Sequence, residues 1–169
     1  MLPKVLLIDL DDTLVTFGAS PDAAWRKVAL EVAPCEGLEA NELWQSFLAA
    51  RDWFWGDPVR SNRGRRDMAA ARNAIVAHAL EALGTPNASL AAEWGGLYSR
   101  YRDGSLALTP GATFLLKQLR EGTERMLLLT NGDSKGQRRK LTRFGLEGFF
   151  DHLLIEEELG FGKPDRRVF

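Results

Sequence analysis

The sequence is poor in residues that staple or chelate. Among 169 residues it has one cysteine, Cys35, and two histidines, His78 and His152. A single thiol closes no intrachain disulfide, which excludes a secreted disulfide scaffold. Cys35 and the histidines share no spacing that would build a zinc site. Excess charge is also lacking: 22 basic and 23 acidic side chains leave a net charge of −1. That balance carries no global electrostatic footprint for nucleic acid or an anionic membrane. No run approaches the roughly 20 apolar residues that span a bilayer. The N-terminal run Val5 to Ile8 is too short for a signal-peptide core and leads straight into Asp9, Asp11 and Asp12. The chain therefore reads as cytoplasmic, with neither nucleic acid nor membrane as a partner.

Hydrophobic residues make up 45% of the chain and charged residues 27%, enough apolar material for an unstapled core. Lys4-Val-Leu-Leu-Ile-Asp9 is a short continuous apolar run, the pattern of a parallel strand covered on both faces. Met126 to Thr130 is a second such run and His152 to Ile155 a weaker third. Between these two, Ser134 to Phe144 reads as a basic helix with Gly145 as its stop. Before the second run, Ala112 to Arg120 offers one apolar face through Phe114, Leu115, Leu116 and Leu119. Alternating strands and helices predict an α/β fold with crossover helices.

Residues 17–106 read differently. Ser20-Pro21-Asp22 is a helix start, and further helices are expected over Glu39 to Phe54, Arg65 to Leu83, and onward from Asn87. All five tryptophans lie in this stretch. A helical insert between the first two core strands is the simplest organisation.

Three carboxylates where a strand ends need a reason. In open parallel sheets ligands bind outside the carboxyl ends of the strands. Crowded carboxylates there invite a divalent cation. A carboxylate is also a nucleophile already ionised at neutral pH, so Asp9 and Asp11 could divide attack and proton transfer. Thr130-Asn131-Gly132 would lie on the same sheet edge, with a hydroxyl, an amide and a flexible backbone to cradle an anion.

Together, Val5-Leu-Leu-Ile-Asp-Leu-Asp-Asp-Thr-Leu14, Leu127-Leu-Leu-Thr-Asn-Gly132 and Gly162-Lys-Pro-Asp165 resemble the three ordered motifs of haloacid dehalogenase-like hydrolases, phosphatase branch. The resemblance implies a Rossmann-like three-layer core over residues 1–16 and 107–169, with residues 17–106 as a helical cap. It implies that Asp9 is the nucleophile forming an aspartyl-phosphate and Asp11 the general acid, then base. Mg²⁺ would be held by the Asp9 carboxylate and the Asp11 backbone carbonyl. Thr130 and the Asn131 backbone N–H would hold phosphoryl oxygens, and Lys163 would neutralise charge on nucleophile and phosphate. Asp12 receives no catalytic role. The implied activity is Mg²⁺-dependent hydrolysis of a small phosphorylated metabolite.

One departure accompanies the resemblance. The family's fourth, acidic motif should follow the third, yet the sequence stops at Phe169. The expectation is a core lacking its C-terminal part, either a shortened complete enzyme or a naturally short, weakly active relative. Glu156, Glu157 and Glu158 are nearby carboxylates, but they resemble the family's non-ligand lead-in to the third motif rather than a replacement for the absent ligand. Family topology puts the Lys4–Asp9 strand in mid-sheet, so an open apolar edge and self-association are expected. Alternatives remain within and outside the family. Dehalogenation needs the nucleophile but not Asp11, while phosphomutase chemistry shares all three motifs. Phosphonate cleavage would want a cap lysine, and residues 17–106 hold only Lys27 against nine arginines. A non-catalytic binding module would draw on the missing motif and on Trp53-Phe54-Trp55. Arg60, Arg63, Arg65 and Arg66 read as a solvated helix start, or as a cap loop touching an anionic substrate.

Overall fold

The computed structural model describes residues 3–169, which form two compact units, 3–16 with 106–169, and 17–105. The first unit holds a parallel sheet of β1 (Val5–Ile8), β4 (Arg125–Thr130) and β5 (His152–Ile155) in the order β1-β4-β5. Leu6 pairs with Met126, and Leu128 with Leu153. β2 (Val15–Phe17) and β3 (Leu106–Leu108) form a separate two-stranded sheet. The α/β Rossmann-like reading holds: helix α6 (Ala112–Gly122) precedes β4, and α7 (Ser134–Phe144) links β4 to β5. Both crossovers step the same way across the sheet, so right-handed connection puts α6 and α7 on one face. Met126, Leu128 and Leu141 are fully buried. β1 departs from the expectation of a strand covered on both faces. It ends the sheet among the described residues, with Val5 at 53% and Leu7 at 42% exposure.

Local chemistry sets the helix ends. Asp133 caps α7 by accepting the Gly136 N–H at 2.7 Å, and Gly145 ends it in the left-handed region. The short α8 (Glu156–Leu159) follows β5 directly.

The second unit is a helical bundle of α1 (Pro21–Val32), α2 (Ala40–Trp55), α3 (Pro58–Arg66), α4 (Met68–Ala82) and α5 (Ala88–Gly104). Ser20 and Asn87 cap α1 and α5. The core gathers Trp25, Phe47, Trp94 and Tyr98, with Trp25 stacked on Tyr98 at 3.9 Å. The single helix expected over Arg65 to Leu83 is corrected by a break at Asp67, which ends α3 and caps α4 through the Ala70 N–H. Arg60 to Arg66 are therefore body and end of a helix that starts at Pro58. Arg63, Arg65 and Arg66 occupy its last turn, where cations complement the helix dipole. Among the described residues, no helix is long and apolar enough to cross a membrane.

Candidate active site

Asp9 lies one residue past the carboxyl end of β1. Its Oδ1 accepts the Leu10 N–H at 2.8 Å and faces the Lys163 ammonium at 2.7 Å, and its side chain stays 42% exposed. The chain then turns tightly: the Leu10 carbonyl accepts from Leu14 and Val15, and Asp12 N–H donates to the Val15 carbonyl. Asp12 makes the turn by adopting φ 57°, a left-handed conformation that Asp tolerates better than most residues. The third acid of the motif thus has a conformational role.

The Asp11 carboxylate has its own cation. Lys140 Nζ donates to Oδ1 at 2.6 Å and to Oδ2 at 2.9 Å, and Gln137 Nε2 donates to Oδ2 at 2.9 Å. Sequence reasoning missed both α7 residues. Gln137 alone left a trace, as a polar residue one turn before Leu141 on the stripe the helix buries, and nothing in that trace points to Asp11.

At the end of β4, Thr130 is 1% exposed and its hydroxyl makes a long 3.4 Å bond to the Asn131 carbonyl. Asn131 acts through its side chain. Oδ1 accepts the Lys163 N–H and Nδ2 donates to the Lys163 carbonyl, both at 2.8 Å. Two glycines permit this closeness. A Cβ at Gly162 would meet Asn131 Oδ1 at 2.6 Å, and one at Gly132, already at φ +117°, would meet Gln137 Nε2 at 3.1 Å. Thus Asp9, Asp11, Asn131 and Lys163 come together at one end of the sheet, and Thr130 lies beneath them within the packed strand.

The acidic run after β5 is engaged with the neighbouring turn. Glu156 accepts the Gly132 N–H at 3.1 Å and Glu157 the Ser134 N–H at 2.6 Å. Glu158 accepts from the Ser134 hydroxyl and from both arms of the Arg138 fork, at 2.7 and 2.8 Å. Arg138 foremost, then Ser134, pulls the Glu158 acid below its ordinary range. Each carboxylate straps the β4–α7 turn. Asp165, in the third motif, caps the last helical turn and is held by Arg167, which lowers its acid to about 2.

Among the described residues, no group of three or more acidic, His or Cys side chains forms a metal cage. Magnesium needs less than that: hard oxygens from one or two protein groups, completed by substrate phosphate and water. The Asp9 Oδ2 is not used by Leu10 or Lys163, which both engage Oδ1. The Asp11 carbonyl is not used by the bridge to Val15, whose bonds run through Leu10 and Asp12. Both are hard oxygens of the kind magnesium takes.

A family model for haloacid dehalogenase-like hydrolases matches residues 3–169. The chain belongs to that family. This haloacid dehalogenase-like hydrolase is 32% identical to the phosphoserine phosphatase of Thermus thermophilus over 189 residues, covering 98% of this chain and 73% of that protein. It is 43% identical over 60 residues to the pyrimidine 5'-nucleotidase YjjG of Escherichia coli, a match spanning 36% of this chain and 26% of that protein. Among solved structures, the magnesium-bound HAD-hydrolase YfnB of Bacillus subtilis has a TM-score of 0.63 at 23% identity. That alignment covers 96% of this chain and 69% of that one, a likeness of fold.

Proposed function

We propose that this hydrolase is a Mg²⁺-dependent phosphomonoesterase acting on a small phosphorylated metabolite through an aspartyl-phosphate. One observation carries the reading. Two carboxylates two residues apart, Asp9 and Asp11, sit at the carboxyl end of the sheet, each with its own lysine, Lys163 and Lys140. Phosphoryl transfer is mostly positioning and charge compensation, and this arrangement supplies both.

In this reading an Asp9 oxygen attacks phosphorus while the bond to the leaving oxygen breaks, and Asp11 gives that oxygen its proton. Asp11 then takes a proton from water as the water attacks phosphorus. Asp9 is released and inorganic phosphate leaves. Lys163 offsets charge on Asp9 and on the phosphoryl group. The Thr130 hydroxyl and the Asn131 N–H hold phosphoryl oxygens. The Asp9 carboxylate and the Asp11 carbonyl would hold Mg²⁺, which would supply the screening that lets one anion attack another. Asp11 favours phosphate esters over haloacids, because halide departs without a proton. Residues 17–106, the helical insert, take the part of choosing the leaving group. The reading places the protein in the cytoplasm, with no nucleic acid or membrane partner.

The test is phosphate release from 4-nitrophenyl phosphate by the 169-residue chain with Mg²⁺. Turnover should vanish in Asp9→Asn and in EDTA. Turnover that survives Asp9→Asn overturns the nucleophile assignment.

A further inference from the structure

Gln137 and Lys140 stand three residues apart on α7, hence on one face of the helix. Gln137 is 3% exposed. Its amide nitrogen donates to Asp11 Oδ2 at 2.9 Å and to the Asn131 carbonyl at 2.5 Å. Two acceptors at one end of the amide fix which end is nitrogen. The other end, Oε1, is buried without a partner. A buried acceptor left unsatisfied is costly, and a leucine would fill the same space without that cost. Packing alone therefore does not account for Gln137. Lys140 straddles both Asp11 oxygens at 2.6 and 2.9 Å, with its own side chain 12% exposed. A carboxylate has about four lone-pair sites. Three of those on Asp11 are occupied, so the carboxylate cannot rotate without breaking bonds, and one site remains for a transferring proton.

We propose that Gln137 and Lys140 are positioning residues. Together they fix the orientation of the Asp11 carboxylate and tie it, through the Asn131 carbonyl, to the turn that holds phosphate. α7 is then a strut joining the proton-transfer group to the anion cradle, and both α7 side chains act through Asp11. The inference rests on the reading of Asp11 as the proton-transfer residue.

Two measurements on the full chain test it. The first is a double-mutant cycle by urea unfolding in EDTA, with Asp11→Asn and Lys140→Met. Lys140→Met should lower the folding equilibrium constant about five- to tenfold alone, and less than about twofold when Asp11→Asn is already present. Strictly additive effects would show that α7 does not hold Asp11 and would overturn the proposal. The second compares an alkyl phosphate, whose leaving oxygen needs a proton, with 4-nitrophenyl phosphate, whose leaving group departs without one. Lys140→Met and Gln137→Leu should lower kcat roughly 10- to 100-fold on the alkyl ester, part of what a positioned acid supplies. On the aryl ester the loss should be about threefold or less, with KM unchanged on both. Lys140→Arg, which can still fork onto both oxygens, should recover most of the loss. Equal losses on the two esters would reduce α7 to a packing role and end the proposal. If Asp11→Asn itself shows no leaving-group dependence, or the unmutated chain turns over neither ester, the proton-transfer reading falls, and the cycle still decides whether α7 holds Asp11.

Discussion

The side-chain amide of Asn131 clasps the Lys163 backbone on both sides of its Cα, accepting from its N–H and donating to its carbonyl. These are the bonds a neighbouring strand would make, supplied by one side chain to a loop. They anchor the backbone from which Lys163 reaches Asp9. Asn131→Ala should therefore act on Lys163 at a distance. We expect kcat on 4-nitrophenyl phosphate to fall about 10-fold or more and stability to drop by ~1–3 kcal/mol, as for two lost bonds in a half-buried site. Asn131→Asp should be no better, since it sets an acceptor against the Lys163 carbonyl. Steady-state kinetics and urea unfolding check both variants.

Acid stability should depend on Asp151. Arg120 bonds its carboxylate and the Met126 N–H donates to it at 2.8 Å, holding its acid at about 2 in the folded chain. The folded acid is stronger than the unfolded one, so the stabilisation is complete above about pH 4. It is lost as pH falls toward 2, when the folded carboxylate takes up its proton. Asp165 beside Arg167 contributes in the same window with the same sign. Asp151→Asn should flatten the decline of stability between pH 5 and pH 2, as read by urea midpoints across that range. An unchanged slope would mean the contact is absent in solution.

Metal removal should separate activity from folding. Lys163 and Lys140 already neutralise Asp9 and Asp11, so these carboxylates do not depend on an added cation to sit side by side. EDTA should leave Tm unchanged while abolishing phosphate release. A clear drop in Tm would mean that a metal, and not the lysine pair, holds this corner of the fold together.

The outer strand of the sheet should govern association. β1 offers an unpaired edge among the described residues, with Val5 and Leu7 exposed on one of its faces. Light scattering should find species above monomer at micromolar concentration. Val5→Lys with Leu7→Lys should suppress them, since charge on an edge strand blocks further pairing. A monomeric unmutated chain would contradict this.

The strands and most helix ends were legible in the sequence because their causes are local. Continuous apolar runs mark β1, β4 and β5, and Ser20, Asn87 and Gly145 mark ends through their own side chains or backbone. Asp67 was not legible as a break, because helix-forming residues surround it on both sides. β2 and β3 span three residues each, too short for alternation to register. Trp53-Phe54-Trp55 were readable as pointing different ways, since adjacent helical positions do not share a face. Phe54 is buried, while Trp53 stacks on His78 at 3.9 Å and carries Arg60 at 4.1 Å from its ring centroid. Trp53 thus packs against α3 and α4 of its own bundle while staying 38% exposed. In the site, Asp9, Asp11, Asn131 and Lys163 were found through their motifs. Gln137 and Lys140 were not, because their partner Asp11 lies more than a hundred positions away and no local rule connects them.

The glutamates after β5 have a last consequence, for how the loop breathes. Gly132 and Ser134 sit in the connection between β4 and α7, a kind of segment whose amide protons ordinarily exchange quickly with solvent. In this connection each of the two amides is capped by a carboxylate, Glu156 on one and Glu157 on the other. Deuterium uptake at these two positions should therefore follow the slow clock of the adjoining strands, making a turn that looks irregular one of the stiffer parts of the chain.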